Sequence, residues 1–264
     1  MTRFIAAMDH SGGSTGGVLE RYGQEYTEDD KMDLVHEMRM RMVNSPDFND
    51  KNIWAAIMYR DSVERGLAQI MNAKGIKSFL KVDSGCEDNG YLKYFRLAEM
   101  IKLAIDMDCY GTKMRSIIKD VKDLEMIMVQ QFALAKSIDE AGLMPIIEPE
   151  VPINHPEKSD VEVLLEDSLH RHLETYPGKC ILKLTPPEVP NLYHNLTTHP
   201  SVSKVVFLSG GYSTSEACSR LSLNDNVSAS FSRALSQDLY YNLTDDEFDA
   251  TISNNIKMIT EASE

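Results

Sequence analysis

Charged side chains stand two residues apart inside several short apolar runs of this chain: Lys81 and Asp83 in SFLKVD, Lys113 and Arg115 in YGTKMR, Glu148 and Glu150 in MPIIEPE. Lys183 precedes Thr185 in CILKLT, and Asp9 closes FIAAMD. Taken singly, a lysine in a strand is a solvated edge residue, or one whose stem lies on apolar surface while its ammonium reaches water. Amines and carboxylates gathered at one place are different. They offer a nucleophile with acid and base partners, and burying that many charges costs several kcal/mol each unless they pair. A structural network of ion pairs is the competing reading.

Alternation decides which face these groups share. In a strand every second residue faces the same side, so Lys183 and Thr185 face one way and Leu182 and Leu184 the other. The same rule pairs Lys81 with Asp83, Lys113 with Arg115 and Glu148 with Glu150, and puts Asp9 in line with Ile5 and Ala7. The opposite parity is apolar or small throughout: Leu80 and Val82, Ile147 and Pro149, Phe4, Ala6 and Met8. The charged residues also fall near the C-terminal ends of their runs.

Eight such runs recur between stretches of helical pattern. Besides those above they are IWAAIMY, KVVFLSG from Lys204 to Gly210, and VSASFSRAL from Val227 to Leu235. The helical candidates include TEDDKMDLVHEMRMRMV with Thr27 as N-cap, SDVEVLLEDSLHRHLETYPG, and a last amphipathic helix in TDDEFDATISNNIKMITEASE. Alternation of strand and helix predicts a parallel sheet with crossovers, and eight units predict a closed (β/α)8 TIM barrel of the α/β class. In that fold the charged parity is the barrel interior, and its C-terminal end is where active sites are built. With 264 residues, 42% hydrophobic and without a Pro/Gly/Ser-rich linker, the chain is expected to be one domain, 1–264.

Composition narrows the partners. The chain has 27 Lys+Arg against 41 Asp+Glu, a formal charge of -14, which repels nucleic acid and anionic membrane surfaces. A phosphate-bearing ligand must find a local positive pocket. There is no apolar run near the roughly 20 residues of a membrane span, and the N-terminus turns polar too soon for a signal peptide, so the expected location is cytoplasmic. Cys86, Cys109, Cys180 and Cys218 are widely spaced with no histidine at zinc-ligand spacing, so no metal site and no cofactor are expected. The sequence leaves a homo-oligomer open.

Two glycine turns offer phosphate sites. LSGGYSTSEA follows the seventh run and opens a helix, so the amides of Gly210 and Gly211 and the helix N-terminus could hold a phosphate, with Arg233 as a bidentate fork. SGGST, Ser11 to Thr15, offers a second turn, or only an N-cap.

In order and spacing, FIAAMDHSGGST, FLKVD, GTKMRS, PIIEPE, LKLT, LSGGYS and SFSRAL resemble the strand-end motifs of class I fructose-1,6-bisphosphate aldolases, particularly the shorter bacterial type. The resemblance runs from about Phe4 to Leu235. It implies reversible cleavage of fructose 1,6-bisphosphate, a phosphorylated sugar, to dihydroxyacetone phosphate and glyceraldehyde 3-phosphate. By similarity Lys183 is the Schiff-base lysine, Glu148 its acid/base partner, and Asp9 the carboxylate at the scissile bond. Lys113, Arg115 and Lys81 line the substrate channel. Ser209, Gly210, Gly211 and Arg233 hold one phosphate, and Ser11 and Ser14 meet the second.

The residue types suit that chemistry. A lysine attacks a ketone only when neutral, and desolvation with like charge from Lys113 and Arg115 favours the neutral amine. Dehydrating the carbinolamine needs an acid that becomes a base, which Glu148 or Glu150 could be if burial raises its pKa. The iminium then accepts electrons as an enamine while Asp9 takes the C4 hydroxyl proton. Departures from the family pattern are Ser84 after Asp83, His10 after Asp9, and the lack of a C-terminal tyrosine, the last being Tyr241. They bear on substrate preference. The alternatives are a transaldolase or other Schiff-base barrel, and a sugar-phosphate-binding protein without turnover.

Overall fold

The structure, a computed structural model, describes residues 3–11 and 13–263, with only the backbone described at positions 13 and 14. Eight strands form one sheet, each parallel to the next in chain order: β1 (Phe4–Met8), β2 (Ile53–Met58), β3 (Lys77–Lys81), β4 (Gly111–Ile117), β5 (Met144–Glu150), β6 (Cys180–Leu184), β7 (Val202–Phe207) and β8 (Val227–Ala229). The Ala7 N–H donates to the Phe231 carbonyl at 3.1 Å, joining β1 to the chain just past β8. The result is the nearly closed TIM barrel that the alternation of elements predicts.

Parity sorts the core as expected. Ile5, Ala7, Ala55, Ile57, Phe79, Ile146, Ile181 and Val206 fill the barrel interior. Leu80, Val82, Met114, Ile147, Leu182 and Leu184 face the helices in a larger outer core. The interior is filled at its lower levels by apolar side chains, so the polar residues at the strand ends stand on a solid floor. Register brings them level: Lys81 lies beside Lys113, and Arg115 beside Glu148.

The helices form for local reasons that the sequence displays. The last one, Asp245–Ala262, starts with a capping box between Thr244 and Glu247 and buries Phe248, Ile252, Ile256 and Ile259. Helix Lys158–Thr175 also braces the site. The ammonium of its buried Lys158 pairs with Glu162 and donates to the Pro186 carbonyl at 2.8 Å, fixing the turn that follows β6.

Two expectations need correction. Thr27 does not cap the first turn directly: the helix runs Lys31–Asn44, and Thr27 instead closes a preceding turn with Asp30, whose Oδ1 accepts from the Thr27 N–H at 2.7 Å. The run VSASFSRAL is a strand only over its first three residues. After the Ser230 N–H donates to Phe207, the chain leaves the sheet, so Arg233 stands on a turn.

Candidate active site

Lys183 projects from β6 into the mouth of the barrel because Leu182 and Leu184 commit its neighbours to the helix side. Its side chain is only 5% exposed, and its Nζ lies 3.1 Å from Glu148 Oε1. Glu148 Oε2 lies 3.0 Å from Lys113 Nζ, an ion contact without the alignment of a hydrogen bond. Lys113 Nζ in turn lies 2.6 Å from Asp9 Oδ2. Four strands thus supply one row of alternating charge: Lys183, Glu148, Lys113, Asp9.

The row sets its own protonation. Burial pushes the Asp9 carboxyl up, but Lys113, Lys183 and Lys81 outweigh it and hold Asp9 well below the usual carboxylate range. Glu148 follows the same logic, with burial outweighed by Lys113, Lys183 and Arg115, and is also lowered. Burial works against the charge of Lys113, yet Asp9, Glu148 and Asp83 keep it a firm cation. Glu150 differs. Burial raises its carboxyl, Arg115 at 3.1 Å only partly offsets that, and the nearby Glu148 charge adds to the rise. Of the two carboxyls expected to be raised by burial, only Glu150 is.

The remaining members of the charged pairs divide into chemistry and bracing. Lys81 donates to Ser11 Oγ at 2.8 Å and lies 3.6 Å from Asp83. Asp83 accepts from the backbone N–H of Gly85 and of Arg115, so it ties the loop after β3 to β4. Thr185 exchanges two hydrogen bonds with the backbone of Val151 and ties β6 to the end of β5. The Ser14 side chain lies outside the described residues.

A cavity of about 350 Å³ joins this row to Ser209, Gly210, Gly211 and Arg233. Gly210 and Gly211 have φ of 56° and 116°, and the second value in particular suits only glycine. A Cβ on Gly211 would also press on Arg233 Nη1 at 3.3 Å. The helix that follows, Thr214–Leu221, does not offer its N-terminus to the cavity as expected. Ser213 Oγ caps the Glu216 N–H, and Gln237 takes that of Thr214. Among the described residues the Gly210 and Gly211 amides have no acceptor.

Four residues of this site have no role assigned by the sequence. Ser230 is buried, lines the cavity, and its hydroxyl has no partner among the described residues. Parity could have found it, since Ser228 and Ser230 alternate with the outward Val227 and Ala229. Arg21 reaches the cavity from helix Gly13–Tyr22, and burial and the Arg233 charge both lower its pKa. Gly17, one turn earlier, also lines the cavity. His10 bonds Ser232 Oγ at 2.8 Å; burial, abetted by Arg39, Arg21 and Arg233 and opposed by Asp9, pushes its pKa down to about 4, so the ring is neutral. Arg39, 1% exposed, donates to the His10 carbonyl and Ser62 Oγ, and burial lowers its pKa to about 10. Nothing in MRMRMV marks it.

Fold and site together define a (β/α)8 barrel with a buried amine–carboxylate centre at the C-terminal ends of its strands. No protein-family model matches the chain. It is 44% identical to the class 1 fructose-bisphosphate aldolase of Clostridium acetobutylicum over 98% of this chain and 95% of that protein. It is also 44% identical to the one from Synechocystis sp., over 98% and 93%. The chain belongs to the class 1 fructose-bisphosphate aldolases. In fold it is similar to the fructose-bisphosphate aldolase of Plasmodium falciparum, solved with TRAP and an inhibitor, with a TM-score of 0.78 at 16% identity over 99% of this chain and 90% of that one. An archaeal fructose-1,6-bisphosphate aldolase, solved with its catalytic lysine bound to the carbinolamine intermediate, is more distant: TM-score 0.53 at 11% identity, covering 96% and 93%.

Proposed function

We infer that the chain reversibly cleaves fructose 1,6-bisphosphate to dihydroxyacetone phosphate and glyceraldehyde 3-phosphate through a Schiff base on Lys183. The observation that carries this reading is the row Lys183, Glu148, Lys113, Asp9 beside the Ser209–Gly211 turn. The Lys183 amine attacks C2 of the ketose and forms a carbinolamine. Glu148, 3.1 Å away, takes a proton from the attacking nitrogen and passes it to the C2 oxygen. Lys113, a cation in contact with Glu148, is placed to protonate the departing hydroxyl, and water leaves to give the iminium.

Cleavage then follows from electrostatics. The C3–C4 electrons flow to the iminium, forming a neutral enamine, as the C4 hydroxyl proton passes to Asp9. Cation charge at Lys183 is one of the influences that hold both Asp9 and Glu148 below their usual range. When the iminium becomes an enamine, that influence disappears, so the carboxylates gain proton affinity in the same step that releases a proton. The iminium serves as the electron sink, and no step calls for a metal. Glu150, raised by burial, is a reserve of acid beside Glu148.

The C1 phosphate is read onto Ser209, the Gly210 and Gly211 amides, Ser230 and Arg233, with Arg21 opposite as a second cation. The C6 phosphate is read onto Lys81 and Ser11, beside Arg115. A cytoplasmic setting in glycolysis or gluconeogenesis belongs to the same reading; the four cysteines are free thiols, the state a reducing compartment maintains. Among the described residues no helix is long and apolar enough to cross a membrane.

A coupled assay across phosphorylated ketoses, run with and without EDTA, tests the function. The expected result is cleavage of fructose 1,6-bisphosphate that EDTA leaves unchanged. Activity that EDTA abolishes and zinc or iron restores would overturn the mechanism.

A further inference from the structure

At the opposite end of the barrel, where the strands begin, a second positive site is built on aromatic rings. Lys77 opens β3 and faces inward with Phe79 and Lys81. Lys204, on β7, shares the inward parity of Val206. Trp54, the single tryptophan of the chain, packs between them against Phe79 and Tyr110, with ring centroids 6.0 Å from each. The Lys77 ammonium lies 3.4 Å from the Tyr110 centroid and 5.3 Å from that of Trp54, and the Lys204 ammonium lies 5.1 Å from Trp54. Arg3, just before β1, stands close enough that its charge and that of Lys77 depress Lys204, with burial the larger cause.

Lys77 and Lys204 therefore flank one indole with Arg3 nearby, and among the described residues none of the three has a carboxylate within ion-pair distance; Arg3 donates only to the Asp50 carbonyl. In a chain of formal charge -14, cations are in short supply, and placing three together without counter-charge costs repulsion that the ring faces offset only in part. Beside Lys77 opens a cavity of about 680 Å³, with Lys77 and Tyr110 on its wall. Its two carboxylates are engaged by neutral donors, Asp108 by the Asn72 amide and Asp139 by the Lys179 N–H. Lys77 lies four residues from Lys81 on the same strand, about 13 Å of β-strand from the catalytic end.

We propose that Lys77 and Lys204, set on Trp54 and Tyr110, form with nearby Arg3 a second anion site at the base of the barrel that takes a diphosphate group. Three fixed positive charges at close quarters match the two to three charges of a diphosphate better than a single phosphate, and the exposed edge of Tyr110 at the cavity wall leaves room for a base or sugar attached to it. The site is separate from the sugar-phosphate cavity, so it does not rest on the reaction assigned to that cavity.

The test is equilibrium dialysis of the full chain with inorganic pyrophosphate and, in parallel, ADP, at fixed ionic strength, with Trp54 emission followed in the same titrations. The expected result is a saturable site that persists in Arg233→Ala and weakens about tenfold or more in Lys77→Met/Lys204→Met. Tighter binding of ADP than of pyrophosphate would assign a nucleotide, and equal binding the free diphosphate. If the double variant does not fold, Lys204→Met alone is expected to weaken binding several-fold. The proposal is overturned if neither ligand saturates, if binding disappears with Arg233→Ala alone, or if it is unchanged when the lysines are replaced.

Discussion

The Nζ of Lys183 lies 3.1 Å from Oε1 of Glu148, while the other oxygen of the same carboxylate lies 3.0 Å from Lys113. Glu148 therefore has two cationic partners. The consequence is that Lys183 can be removed without orphaning a buried charge, whereas Lys113, the bridge between Glu148 and Asp9, cannot.

Lys113→Met should destabilise the protein strongly. It leaves Asp9 and Glu148 buried without their shared cation, a loss of about 3 to 5 kcal/mol for a broken buried pair. The sign of the pH effect follows. In the parent both carboxyls are depressed, so their contribution is present above the unfolded carboxylate pKa and is lost as pH falls through the folded values. In the variant Glu148 keeps Lys183, but Asp9 loses its only ion-pair partner and burial raises it, so the stability deficit is largest near neutrality and shrinks on acidification. Denaturant unfolding of both proteins at neutral pH and near pH 4 checks this, and a deficit independent of pH would count against it.

Glu150→Gln isolates the raised carboxyl. A carboxyl whose folded pKa lies above its ordinary value of 4.5 costs stability as pH rises from that value through the folded one, because folding then opposes ionisation. Replacing it by the neutral isostere should flatten stability over that window, and Arg115, 42% exposed, should tolerate the loss of its partner. A variant whose pH–stability curve parallels the parent would show that Glu150 titrates normally.

Arg233→Ala should raise KM for fructose 1,6-bisphosphate by one to two orders of magnitude with a smaller change in kcat, since a charge-assisted fork is lost while the covalent chemistry stays. Arg21→Ala, the second cation on the same cavity, should act in the same direction. Steady-state kinetics on both decide. A large fall in kcat at unchanged KM for Arg233→Ala would remove it from phosphate binding.

The sequence made the barrel and the charged row legible because both follow from period-two alternation: Lys183 among leucines, or Glu148 between Ile147 and Pro149, has its face fixed by its neighbours. What escaped belongs to tertiary structure. Arg39 comes from a helix whose pattern looks like any solvated one, and only the fold turns it under His10. The helix after β7 looked like a phosphate cradle because Gly-Gly precedes it, but Ser213 and Gln237 had already taken its first N–H groups. Which of Glu148 and Glu150 is raised was likewise beyond the sequence, since the answer depends on Lys113 and Lys183 standing within ion-pair distance of one and not the other.

The most direct test of the central claim is borohydride trapping on Lys183→Met, paired with thermal melting. Methionine keeps the apolar stem, and Lys113 still neutralises Glu148, so the variant should melt within a few degrees of the parent. Reduction in the presence of dihydroxyacetone phosphate should label the parent on the peptide containing Lys183 and leave the variant unlabelled, with activity down by several orders of magnitude. A folded Lys183→Met protein that still forms a reducible adduct, on Lys81 or Lys113 for instance, or that keeps its activity, would contradict the assignment of Lys183 as the nucleophile.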